Sequence, residues 1–587
     1  MFLREVKRQN KNGTQASYLQ LVHNQWDPTA RASRTKILYS FGRTDQVERA
    51  AIGRLIASLS RLLDPATAFT TTAGSELTFL EARPLGGAHL LDGMWHRLGI
   101  DTVMRTLLAG RRLDRRVERV LFALVANRAL DASSKLAAAG WVASDVHIDG
   151  LPATSDDACY RAMDWLLEIA HDLERAVFWQ VASLLDLEVD LLFFDTTSTY
   201  FELDEPDAPV ARDQRGMPVA EPDGDGDTGD GHGNAGDGSG EGDSAAAATK
   251  AGFRSYGKSK DHRDDLPQVV VGMAVTRTGI PVRVWCWPGN TTDSALIRQV
   301  KADLRDWTLA RVIWVADRGF ASAENRRYLR RGDHHYIIGE RLRSGSAEAT
   351  AALSRQGRYA EVAGNLRVKE VRIAEHERFV ICHNPDQADR DAAVRARLVA
   401  QLAETIANSD KLPTTKRAEL RGVISTKPGL NRYLRVTPSG LLRVDKAAVT
   451  AEAKLDGKYL LRSSDPHLPA EDIALGYKQL LQVERGWRDI KQIIDLRPVY
   501  HRLEERIRAH VLLCWLALLL VRTIETTTGA TWQTLKAELN RLQVITFTGP
   551  EGTFRQRTEL TKPQRDLYAT LGLDPPGKII ELATATP

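Results

Sequence analysis

Three acidic side chains stand in settings that suit metal-assisted chemistry. Asp195 ends the apolar part of VDLLFFDTTSTYFEL, Asp317 follows RVIWVA in RVIWVADRGF, and Glu484 lies within EDIALGYKQLLQVERGWRDIKQIIDL. The first two segments are short, apolar and β-branched, which predicts strands with aspartates at or near their ends; the third has the length and spacing of a helix. Two such aspartates facing a helical glutamate can gather hard oxygen donors around two divalent cations about 4 Å apart. That arrangement suits in-line displacement at a phosphodiester: one ion activates an attacking water or 3′ hydroxyl and the other steadies the leaving oxygen, with no protein nucleophile. Carboxylates favour Mg²⁺, with Mn²⁺ accepted. Singly, each acid has a plainer reading: Asp195 as a turn cap, Asp317 as a loop opener, Glu484 as the partner of Arg488 on a helix surface. Their joint order sets them apart.

The surrounding elements must bring the three together. Residues 1–85 predict an N-terminal module, a β-hairpin (SYLQLVHNQWD, then TKILYSFGR) followed by a helix over QVERAAIGRLIASLSRLL. Residues 86–185 read as a helical region whose arginines are candidates to face DNA, with solvated surface charge as the alternative. Residues 186–343 form the first part of an α/β core: the Asp195 strand, a hairpin over QVVVGMAVTRTGIPVRVWCWPG, a helix, and the Asp317 strand. Within them 204–250 is acidic and glycine-rich and reads as one flexible insertion. Residues 344–454 read as a β-containing insertion domain, 455–525 as the second part of the core with the Glu484 helix, and 526–587 as a C-terminal region.

On these residues the chain resembles the DDE transposases of bacterial insertion sequences, over roughly residues 186–525. FFDTTS matches the setting of that family's first acid, and Asp317, Arg318, Gly319, Phe320 match the D-x-G-[FY] setting of its second. The branch with a β-rich insertion before its glutamate carries a Tyr, two residues, Arg, three residues, Glu, six residues, Lys signature. Tyr477, Glu484 and Lys491 match it, and Leu480 replaces the arginine. Positions seven apart are nearly two helical turns, so on one helix these three share a face and meet the site together. The resemblance implies a ribonuclease H-like core and a Mg²⁺ pair on Asp195, Asp317 and Glu484. It also implies phosphate contacts from Tyr477 and Lys491, and a homodimer that synapses two element ends, cuts them and joins the 3′ ends to target DNA. Arg485 and Arg488 are the candidates to replace the missing arginine, Arg488 being favoured because it lies one turn beyond Glu484, whereas Arg485 is rotated away by about 100°. RSYGKSKDHRDDLPQVVVG and PGNTTD also resemble family sequence. Lys258, Lys260, His262 and Arg263 there form a basic cluster able to bind backbone phosphate, with a solvated loop as the alternative. Trp285, Trp287 and Trp487 are candidates to stack on an unpaired base, against the commoner role of core packing.

Composition narrows the field. At 587 residues the chain is multidomain, and its four cysteines form neither a disulfide framework nor a CxxC zinc pair, which fits a reducing cytoplasm. The polar start lacks a signal-peptide core, and VLLCWLALLLV is shorter than the roughly 20 residues that span a bilayer, so it reads as a buried helix and no membrane is expected. The stretch Asp204–Asp243 holds twelve acids against Arg212 and Arg215, so the net +4 leaves +14 elsewhere, which suits a polyanionic partner. An EF-hand reading of that stretch fails at Thr228 and Asn234, and an aspartyl-phosphatase reading of FFDTTST fails at Thr197. Two rivals remain: a metal-dependent nuclease on the same fold, and a repressor that occupies DNA ends without cutting.

Overall fold

The computed structural model describes residues 2–9, 15–27, 32–47, 52–56, 77–111, 114–185, 190–203, 205–213, 215–219, 249–305, 307, 312–343, 345–374, 377–549 and 552–584. The chain divides into a larger unit, residues 86–540 with 562–575, and a smaller one, residues 1–85 with 541–561 and 576–587.

The larger unit is mixed α/β, built on one nine-stranded sheet. Its strands are β1 (Leu191–Tyr200), β2 (Gln268–Val275), β3 (Pro281–Pro288), β4 (Ile313–Ala316), β5 (His335–Glu340), β6 (Ala360–Ala363), β7 (Leu366–Ala374), β8 (Glu377–His383) and β9 (Lys458–Ser463), in the order β6-β7-β8-β9-β5-β4-β1-β2-β3. β4 runs parallel to β1 and β5, and β1-β2-β3 form an antiparallel meander. Every residue of QVVVGMAV and PVRVWCWP is buried, as expected where both faces of a sheet are covered. Trp285 and Trp287 stack in the aromatic core with Phe194, Trp314 and Phe320, and Trp487 is also buried, so all three tryptophans pack rather than offer a surface for a base.

Helices α1 (Val117–Leu130), α2 (Asp293–Arg305), α3 (Ala470–Lys478), α4 (Leu481–Gln492) and α5 (Glu504–Thr528) belong to this unit. Helix α5 carries VLLCWLALLLV; by length and composition it could cross a membrane, yet that apolar stretch is wholly buried, against α1, β3 and their neighbours. Several arginines of the helical region 86–185 are engaged internally, while Arg115 and Arg116 are exposed. Arg119 pairs with Asp92 and Glu118, and buried Arg128 donates to the Ser133 and Asp495 carbonyls. Arg105, Arg111, Arg161 and Arg175 also meet carboxylates.

Two boundaries differ from the sequence reading. β6–β8 of the expected insertion domain extend the central sheet, because β8 pairs with β9 and β9 with β5. The remainder, including helices Pro385–Ile406 and Thr414–Ser425, has its own apolar cluster around Leu402, Ile424 and Tyr433. The stretch 204–250 is not one flexible insertion: Val210–Arg212 pairs with Thr249–Ala251, and buried Arg212 binds Glu504 at 2.9 Å. That ion pair anchors both ends of the insertion on α5's first turn; residues 220–248 lie outside the described residues.

In the smaller unit, Phe2–Gln9, Gln15–Asp27 and Ala32–Arg43 form a three-stranded antiparallel sheet rather than a bare hairpin. The helix expected after it is described only at 52–56. A second sheet joins Thr78–Pro84 to Gln543–Gly549, then Gly552–Arg557, then Ile579–Thr584, so part of the expected C-terminal region folds with the N-terminal module.

Candidate active site

Register alone makes Asp195 and Asp317 neighbours. Phe194 pairs with Ala316 across the parallel β1 and β4, and each aspartate is the next residue. β4 stops at Ala316, whereas β1 continues along β2 to Tyr200, with Asp195 opposite Met273. Asp195 is therefore mid-strand, at the place where its β4 neighbour ends, and both carboxylates face a cavity of about 920 Å³.

A third carboxylate joins them. Asp293, the first residue of α2, accepts a hydrogen bond from Thr196 Oγ1 at 2.6 Å and lines the same cavity. The Lys260 ammonium bridges the group: Nζ lies 3.7 Å from Asp195 Oδ1 and 3.3 Å from Asp293 Oδ2, and donates to the Thr196 carbonyl at 2.7 Å. Burial pushes the Asp195 carboxyl up to about 6; the pull of Lys260 and the Thr196 backbone N–H lowers it, and Asp293 and Asp317 raise it further. Clustered carboxylates are a donor set that attracts a cation, and their hard oxygens fit a divalent metal. Among the described residues, however, no three His, Cys, Asp or Glu side chains lie close enough to hold a metal ion.

Glu484 is not brought to this pair. The expected single helix is two: α3 ends at Lys478 and α4 begins at Leu481. Between them Gln479, Leu480, Gln482 and Val483 make i→i−3 backbone bonds of 2.8–3.1 Å, a tighter winding than the α-helix, which breaks the seven-residue alignment of Tyr477 with Glu484. The bend suits the sheet, since α3 packs across β4, β5 and β9 and α4 across β1 and β2. Glu484 is consequently exposed in the first turn of α4 and does not line the cavity. Gly486 in α4 permits that packing, because a Cβ there would lie 2.7 Å from Met273 Cε.

Tyr477 does reach the pair: its hydroxyl donates to Asp317 Oδ1 at 3.2 Å. Gly339 in β5 makes room, since a Cβ there would lie 2.5 Å from the Tyr477 hydroxyl oxygen. The other residues chosen from sequence as DNA contacts are mostly engaged internally. Lys260 is held by Asp195 and Asp293, Lys491 by Asp261 at 2.9 Å, and Arg263 by Asp265 while lying over the Tyr200 ring. Lys258 lines the cavity, and Arg488 is exposed on α4. Leu480, at the family's arginine position, is buried in the break between helices. Sequence reasoning missed Asp293, Thr196, Arg318, Arg341 and Lys458, all but buried Thr196 lining the cavity. Asp293 had a signal as the last residue of PGNTTD, and Thr196 and Arg318 stood inside FFDTTS and the D-x-G-[FY] setting, whereas Arg341 and Lys458 had none.

Comparison with known proteins agrees with the resemblance. Residues 221–520 match the family model described as the transposase DDE domain, and residues 3–68 match the N-terminal domain of IS1634 family transposases. No curated protein matches. Among solved structures, the chain is similar to one titled "Cryo-EM structure of piggyBac transposase synaptic complex with hairpin DNA", at 10% identity over 79% of this chain and 82% of that one. The TM-score is 0.34, too distant a likeness to carry an argument.

Proposed function

Because the chain belongs to the DDE transposases of insertion sequences, DNA-cutting and transposing enzymes, we propose that its reaction takes place at the Asp195 and Asp317 cavity. There it cleaves the ends of its own element and transfers their 3′ hydroxyls into target DNA. The observation that carries this is the register of β1 and β4, which sets the two aspartates side by side where β4 ends. An antiparallel meander followed by two parallel strands supports a ribonuclease H-like core.

Asp195 and Asp317 would hold the divalent metal, two Mg²⁺ ions in the full reading, with Glu484 as the third carboxylate. Bound there, the metal supplies a Lewis acid for the phosphodiester and a more acidic attacking hydroxyl. The chain's own residues supply the rest. Tyr477 steadies Asp317 through its hydroxyl, Thr196 orients Asp293, and Lys260 balances the carboxylate charge. Lys258 and Arg488 are the proposed phosphate contacts among the residues chosen from sequence. Double-stranded DNA bearing terminal inverted repeats is the proposed partner, with a homodimer pairing two ends.

The test is cleavage of labelled DNA carrying the element's ends, in Mg²⁺ or EDTA, with Asp195→Ala, Asp317→Ala and Glu484→Ala beside the native chain. Cuts that leave 3′ hydroxyls and join them to a second duplex separate transposition from simple nuclease action. Each variant should bind DNA without cutting it, and retained cutting in any of them removes that residue from the assignment.

A further inference from the structure

Several buried or half-buried arginines of the larger unit are neutralised by partners: Arg212 by Glu504, Arg254 by Asp207, Arg283 by Glu174, Arg462 by Glu340 and Glu377. Cations at the cavity differ. Arg318, Arg341 and Lys458 line it, and none of the three forms an ion pair among the described residues. Nearby Arg343 is held by Glu452, and the Glu340 charge is met by Arg462 and Arg326.

Their placement follows from the sheet. Arg318 directly follows Asp317. Arg341 directly follows β5, and Lys458 begins the antiparallel strand β9. Glu340 pairs with Leu460, so continuing that register puts Arg341 beside Tyr459 and Lys458 one step further out. Arg318 and Arg341 are exposed and Lys458 is partly so. The cavity thus has two chemically distinct parts: an acidic floor at Asp195, Asp293 and Asp317, and a rim whose β5 and β9 side carries three cations with no ion pair among the described residues, Lys258 being a fourth such lining cation.

We infer that Arg318, Arg341 and Lys458 form a phosphate track that grips the DNA backbone on the β5 and β9 side of the reacting phosphodiester. This rests on the proposed function above. It relocates the backbone grip from the Lys260 and Lys491 cluster, whose ammonium groups are occupied by aspartates, to residues the transposase signature does not name. Phosphate contacts carry no base information, so the track acts equally on element ends and on unrelated duplex.

The experiment measures DNA binding against salt for the full chain, using a duplex with the element's end and an unrelated duplex of equal length. Each released phosphate contact should flatten the plot of log affinity against log salt by about 0.9. The triple variant Arg318→Ala, Arg341→Ala, Lys458→Ala should therefore lose about two to three units of slope. Its affinity at moderate salt should fall by roughly tenfold per side chain, given what a charged hydrogen bond contributes. Lysine at 318 and 341 should keep the slope, which separates lost charge from lost fold. A loss on the element end alone would make the track specific to ends and overturn its sequence-blind character; an unchanged slope and affinity on both duplexes would overturn the track itself. Failure of the native chain to cut in Mg²⁺ would sink the proposed reaction while leaving the slopes to decide the track.

Discussion

Replacing Asp195 with asparagine should stabilise the metal-free protein, and by an amount that grows with pH. The folded carboxyl titrates at about 6 against an ordinary 3.8, chiefly because it is buried, with Asp293 and Asp317 adding to the cost of its charge. That shift already contains the attraction of Lys260, so removing the charge yields the net balance. A folded pKa above the unfolded one means the native state holds its proton more tightly. The penalty is therefore absent well below 3.8, grows as pH rises from about 4 to 6, and is complete above 6. At 1.36 kcal/mol per unit, Asp195→Asn gains about 3 kcal/mol at pH 7.5 and about 1 kcal/mol at pH 4.5. The side chain is 23% exposed, so solvent screening makes these ceilings. Because two units melt in one chain, the assay is amide exchange on β1, β2 and β4 in EDTA, which reads the larger unit locally. An advantage equal at both pH values, or none at pH 7.5, would refute the argument. Mg²⁺ should slow exchange in the native protein far more than in the variant, since a bound cation relieves the same repulsion.

Four further outcomes follow from the geometry. Tyr477→Phe should cost about 1–2 kcal/mol of local stability by removing the bond to Asp317, and Gly339→Ala should expel the hydroxyl and cost a similar amount; combined, the two should be far from additive in a double-mutant cycle. Lys260→Met, which removes the ammonium from between Asp195 and Asp293, should tighten Mn²⁺ binding measured by electron paramagnetic resonance, whereas a weaker affinity would show that Lys260 organises the site instead. Restoring the family arginine with Leu480→Arg should lower soluble yield, because the position is buried and a charge there costs several kcal/mol without a partner. Asp261→Asn should release Lys491 and Arg497, steepening the salt dependence of DNA binding by about one to two units if both then reach phosphate.

Much of the larger unit was legible because its strands are strongly patterned. DLLFFD, QVVVGMAV and VIWVA are apolar runs of strand length, and the turn at Arg277, Thr278, Gly279 marks the hairpin between β2 and β3. Pairings between distant segments were not legible. Nothing local in Thr78–Pro84 announces a partner at Gln543–Gly549, and nothing in Glu377–His383 says that its edge meets Lys458–Ser463. The same limit hid Arg341, which is unremarkable in sequence and becomes a site residue only when strand order places it at the cavity.

Glu484 shows why motif spacing and geometry must be argued separately. The seven-residue interval from Tyr477 aligns side chains only on an unbroken helix, and the i→i−3 turn at Gln479 and Leu480 removes that condition. What remains is a division of labour along the signature. Tyr477, on α3, touches Asp317 directly, whereas Lys491, on α4, reaches the site's surroundings through Asp261, the neighbour of Lys260. Helix α4 is therefore tied to Asp261 at its far end, while Glu484 in its first turn is exposed. If Glu484 is the third carboxylate, its approach requires the first turn of α4 to shift against β1 and β2, where Gly486 already packs closely on Met273. Gly486→Val should obstruct that approach and abolish cutting without affecting the contact of Tyr477 with Asp317. Full cleavage by that variant would mean that Glu484 acts without helix movement, or does not act at all.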